Sequence, residues 1–131
     1  MNIQSAESPV SRGALWFGLL GGAGAWTIHL LAAYAAAEFG CVSGLSSREY
    51  MNVSFVAWLE IALTAMTTLF AGVATLVAWR THRRLLARSA ERDEALAAEQ
   101  NTAWAGLLTS GLFMFIIVFE SIPILYYLRS C

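Results

Sequence analysis

The chain has 131 residues, of which 58% are hydrophobic and 13% charged. A soluble domain carries about twice that charged fraction, and eight basic residues against nine acidic ones leave no positive excess for a nucleic-acid partner. The composition excludes a soluble catalytic domain and predicts one small, all-α membrane domain in contact with the lipid bilayer.

Three apolar segments follow one another along the chain, at about residues 14–39, 50–79 and 102–128. Each exceeds the roughly 20 residues that a helix needs to cross a bilayer. They predict an integral membrane three-helix bundle over residues 14–131, after a polar tail of residues 1–13. The first apolar run is too long for a cleaved secretory signal, so we expect an uncleaved anchor.

Polar residues before the second segment resemble a capping box, in which Ser46 and Glu49 cap the first turn of a helix. This pattern predicts that the second helix begins just outside the membrane, at Ser46.

Arginines lie mainly on one side of the predicted spans. Arg12 precedes the first span and only Arg48 and Arg129 lie on the opposite side, whereas five arginines separate the second span from the third: Arg80, Arg83, Arg84, Arg88 and Arg92. The positive-inside rule therefore predicts a multi-pass protein with a cytoplasmic N-terminus and an outer C-terminus.

The connection between the second and third spans has no glycine or proline between Gly72 and Gly106. Basic residues come first and acidic residues follow, as the end of one helix and the start of the next prefer. We expect a helical cytoplasmic hairpin that turns near Ser89.

Each span carries one ionisable residue well inside its ends, namely His29, Glu60 and Glu120, whereas Glu38 lies at the end of the first span. At 1.5 Å per residue, all three lie roughly 12–15 Å below the outer surface. Intramembrane ionisable groups are costly and usually face a protein interior. The sequence therefore predicts that the three side chains meet in an intramembrane polar cluster.

The helical faces through these residues suit helix packing. The His29 face is otherwise Gly and Ala, including the Gly18/Gly22 pair, and small residues let membrane helices approach closely. The Glu60 face adds hydroxyls, Thr64 among them. The Glu120 face is bulkier, with Tyr127 as a polar neighbour, and Pro123 frees the carbonyl of Phe119 beside the carboxyl.

Several chemistries suit such a cluster. It can be a hydrogen-bonded group that fixes helix register, a proton or quinone site, or a metal site with one imidazole and two carboxylates. A haem with two axial histidines is excluded within one copy, since the only other histidine, His82, is predicted at the cytoplasmic side.

The two cysteines, Cys41 and Cys131, are both predicted outside the membrane. Disulfides persist in an oxidising periplasm, so we expect a bridge between the outer ends of the first and third helices. The alternative is a thiol pair that binds copper, with Met51 nearby.

The stretch from Gly24 to Tyr34, GAWTIHLLAAY, followed by Cys41, resembles the first helix of small uncharacterised three-helix membrane proteins encoded near bacterial haem-copper cytochrome c oxidase genes. The resemblance implies residence in a respiratory membrane, the bacterial inner (cytoplasmic) membrane, with a place in the electron transport chain and contact with a larger complex.

No nucleotide-binding loop, nucleophile motif or metal signature of known spacing occurs in the chain, and no cofactor is predicted. We therefore expect a noncatalytic accessory subunit or assembly factor of a respiratory complex, most simply a cytochrome c oxidase. The alternative is a small transport or redox protein that handles protons, quinone or copper through His29, Glu60 and Glu120 or through the cysteines. A homo-oligomeric channel built on Gly18 and Gly22 is a third hypothesis.

Overall fold

The protein consists of three long helices. A computed structural model describes residues 10–88 and 94–127, except for the side chains of residues 124, 125 and 127. Helix α1 spans Arg12–Val42, α2 spans Phe55–Ala87 and α3 spans Glu94–Tyr127. Each is long and apolar enough to cross a membrane. The predicted all-α architecture, with three helices of the length and apolar character needed to span a membrane, is confirmed.

The three helices form a bundle in which each packs against the other two. The contacts pair the start of α1 with the end of α2, as Gly18 with Ala78, and the start of α1 with the start of α3, as Gly18 with Gly106. Helices α1 and α3 therefore run parallel, and α2 runs antiparallel to both.

The core is a series of layers along the bundle. Leu15, Leu85 and Ala103 form a layer at the end where α2 stops and α3 begins. Ala25, Ala71 and Ile117 form a second layer near the middle. Small residues dominate between these layers, which is how membrane helices gain close van der Waals contact without a hydrophobic drive from lipid.

The connection between α1 and α2 differs from the sequence prediction. A single 3₁₀ turn at Leu45–Ser47 is followed by two short antiparallel strands, β1 at Glu49–Tyr50 and β2 at Val53–Ser54. Helix α2 then begins at Phe55, and the hydroxyl of Ser54 accepts a hydrogen bond of 3.2 Å from the amide of Ala57. The predicted capping box at Ser46 and Glu49 is therefore wrong, and so is a start of the second helix near residue 50.

The connection between α2 and α3 is helical on both sides of the predicted turn. Helix α2 continues to Ala87, eight residues beyond the predicted end of its span at Trp79, and α3 begins at Glu94, before the predicted start at 102. Both helices therefore extend past the predicted membrane segments. The expected turn near Ser89 lies outside the described residues.

Candidate functional site

His29 and Glu60 are fully buried at the same level of the bundle. The exposed fraction is 0% for His29 and 1% for Glu60, and His29 Nε2 lies 3.8 Å from Glu60 Oε1. Helix α1 places the imidazole on its small-residue face, directly after the layer of Ala25, Ala71 and Ile117 in the core. Two of the three predicted site residues therefore share one layer, shielded from lipid.

Hydroxyl groups from both other helices hold the imidazole. Nδ1 of His29 lies 3.2 Å from Thr67 Oγ1 on α2, and Nε2 lies 3.2 Å from Ser121 Oγ on α3. Thr64 then bonds to Ser121 at 2.9 Å. The five side chains of His29, Glu60, Thr64, Thr67 and Ser121 form what we term the polar layer, and it joins all three helices.

Glu120 interacts with His29 and Glu60 through electrostatics rather than through a hydrogen bond. It is half-buried, and its Oε2 accepts a 3.0 Å hydrogen bond from the indole N–H of Trp26 on α1. Adjacent residues on a helix differ by about 100° in direction, so α3 directs Ser121 toward His29 and Glu120 toward Trp26. The hydrogen bond from α3 to His29 therefore comes from Ser121, which the sequence reasoning missed.

The remaining predicted site residues fall into three groups. Thr64 belongs to the polar layer, whereas Pro123 lies within α3 and is exposed. The side chain of Tyr127 and the whole of Cys131 lie outside the described residues. The disulfide between Cys41 and Cys131 therefore stays a prediction.

A second polar contact lies nearer the other end of the bundle. Ser110 on α3 is fully buried, donates a 2.6 Å hydrogen bond to the carbonyl of Gly18 and accepts one of 3.1 Å from the amide of Gly22. Its hydroxyl thus bridges two backbone groups one turn apart on α1. Sequence reasoning missed Ser110 because it carries no charge, although its spacing from Gly106 and Ser121 fits one helical face.

The metal alternative finds no support in the donor geometry. Across residues 10–88 and 94–127, no group of three His, Cys, Asp or Glu side chains is arranged to hold a metal ion. The polar layer offers one imidazole, one carboxyl and three hydroxyls, a set suited to exchanging hydrogen bonds and protons.

An apolar groove of about 440 Å³ opens between α1 and α2 beside the polar layer. Its lining includes Ala32, Ala36 and Gly40 from α1 and Val56 and Leu59 from α2. Val56 lies one helical turn before Glu60, so the groove ends about one turn from the buried carboxyl.

Comparison with models of known protein families, with curated proteins and with solved structures finds no match for this chain.

Proposed function

We propose that the protein is a noncatalytic accessory subunit or assembly factor of a respiratory membrane complex, with a haem-copper cytochrome c oxidase as the partner. The noncatalytic role is supported by the hydrogen bonds that buried polar side chains make to the chain's own helices. His29 bonds to Thr67 and Ser121 on the two other helices, and Ser110 bonds to the α1 backbone. These contacts fix the register of the three helices.

The choice of partner is supported by the resemblance over residues 24–34. Within that stretch the bundle buries Ala25, His29 and Ala33 and leaves Ile28, Leu31 and Tyr34 more than half exposed. The α1 segment that carries the resemblance thus also has an apolar outer face. Such a face suits lipid or a helix of a larger complex.

Purification from native membranes tests this proposal. A tagged chain, solubilised in mild detergent, is expected to bring down a haem protein that oxidises reduced cytochrome c. Recovery of the chain without any haem protein would overturn the proposal. Two measurements then distinguish the two roles. An assembly factor is needed for haem incorporation, so deleting the gene should leave the oxidase without haem. An accessory subunit instead remains bound to the assembled enzyme in a fixed ratio.

Matched variants locate the contact. Leu31→Trp adds bulk to the outer face of α1, where Leu31 is 65% exposed, and it should reduce the co-purified haem. Leu69→Trp makes the same change on α2, where Leu69 is 71% exposed, and serves as the control. Equal recovery of haem with the wild-type chain and with both variants would contradict docking through α1.

A further inference from the structure

Glu60 has a buried carboxyl group that nothing in the described part of the chain satisfies. Both of its oxygens are shielded from solvent and lack a hydrogen-bond partner among those residues, and the side chain is 1% exposed. A buried polar group without a partner costs free energy, and native proteins retain one where it binds water or an ion or takes part in chemistry.

The distance to His29 indicates what Glu60 can bind. The 3.8 Å between Glu60 Oε1 and His29 Nε2 is too long for a direct hydrogen bond. It lies within the range of an ion pair, so an ionised Glu60 carboxylate would interact directly with a protonated imidazole.

The hydroxyl groups around His29 allow the ring to gain or lose a proton in place. Thr67 donates to the carbonyl of Leu63 at 2.8 Å, and Ser121 donates to the carbonyl of Ile117 at 2.7 Å. With these bonds made, both hydroxyls accept from the ring, which matches a doubly protonated imidazole. Rotation of one hydroxyl instead turns it into a donor, which matches the neutral ring.

We propose that His29 and Glu60 form a proton-binding pair that holds one exchangeable proton. When the proton moves from Glu60 to His29, one O–H bond breaks and one N–H bond forms, so the total charge of the pair is unchanged. The bonded hydroxyls of Ser121 and Thr64 extend the proton-exchanging groups from the ring toward the half-buried edge at Thr64. The site is independent of the partner complex proposed above.

Among the described residues, the titratable groups near this level of the bundle come from all three helices. They are His29 on α1, Glu60 on α2 and Glu120 on α3, the last of which bonds to Trp26. Any pH response of the ring must therefore be tested against both carboxyls.

Nitrogen NMR of the ring and infrared spectroscopy of the carboxyls test the pair in the full chain in lipid. His82→Gln leaves His29 as the only histidine, so that ¹⁵N-histidine labelling reports its two ring nitrogens over a pH series. We expect Glu60→Gln to change the protonation of the ring and its pH response. In the reciprocal experiment, His29→Gln should change the carboxyl band that Glu60→Gln removes.

Two carboxyl variants serve as controls. Glu38→Gln removes an exposed carboxyl from α1 and should leave the ring unchanged, and Glu120→Gln should change it less than Glu60→Gln. If the ring titrates identically with and without Glu60, or if only Glu120→Gln alters it, the proposal is overturned. The pH series of the chain that carries only His82→Gln is a second test, because a ring that titrates independently of the carboxyl band assigned to Glu60 contradicts a shared proton.

Discussion

Gly22 shows how strongly one residue can constrain this bundle. A Cβ atom at this position would overlap Cα of Ser110 on α3, whereas Gly24, two residues later on the same helix, has nothing within 4 Å. The two glycines thus differ in surroundings, although both lie in the middle of α1.

Gly22→Ala is expected to lower the free energy of unfolding by about 1–3 kcal/mol, the usual cost of forcing extra bulk into a packed contact. Gly24→Ala is the matched control and should be neutral or stabilising by up to about 1 kcal/mol, because alanine is the better helix former. Unfolding in mixed micelles, followed by circular dichroism, measures both. Equal effects of the two changes would contradict the close contact between α1 and α3.

Trp26 and Glu120 link α1 to α3 through the indole-to-carboxylate hydrogen bond. A double-mutant cycle with Trp26→Phe and Glu120→Ala should give a coupling energy of about 1 kcal/mol, within the range for interhelical hydrogen bonds in membrane proteins. Combining Trp26→Phe with Glu38→Ala, which changes an exposed carboxyl, should give additive effects. Additivity in the Glu120 cycle would show that the bond contributes nothing to stability.

The turn between β1 and β2 adopts a backbone conformation that most residues avoid. Met51 and Asn52 have φ angles of 54° and 61°, in the left-handed region that two-residue hairpin turns require. Asparagine tolerates this region, but methionine does not favour it.

Met51→Gly should therefore raise the free energy of unfolding by about 1 kcal/mol, because glycine adopts the left-handed region without steric cost. The same change at Met66, an exposed position inside α2, should lower it by roughly 0.5–1 kcal/mol. Thermal unfolding followed by circular dichroism gives both signs. A loss of stability in Met51→Gly would contradict the turn conformation.

The helices and the faces of α1 and α2 were predictable because length, apolar content and small-residue spacing act locally. The face of α3 was not. The sequence argument set that face by its charged residue, Glu120, whereas packing selects the face that carries Ser110 and Ser121, the latter one position after Glu120. The short strands before α2 were also missed, since the sequence Met51-Asn52 carries only a weak turn signal.

The small-residue face of α1 packs against the chain's own helices, α2 and α3. Gly18 lies against Ala78 and Gly106, and Gly22 lies against Ser110. The pair that suggested a homo-oligomeric channel is therefore filled within one copy. Contacts with other proteins must use the outer faces, where large apolar side chains such as Leu31 and Leu69 are exposed.

The orientation of the bundle in the membrane depends on where the arginines lie. Arg80, Arg83 and Arg84 are exposed near the end of α2, where the positive-inside rule predicts cytoplasm. Alkaline phosphatase fused after residue 131 should be active, and green fluorescent protein fused after Arg88 should fluoresce.

Replacing the arginines from Arg80 to Arg92 with Gln should reduce both signals, because orientation follows Lys and Arg. Replacing Glu91, Asp93 and Glu94 with Gln is the control and should change neither signal, because acidic residues contribute little to orientation. An inactive phosphatase at residue 131 of the otherwise unaltered chain would reverse the orientation and place both the C-terminus and the predicted disulfide in the reducing cytoplasm, where such a bond would not persist.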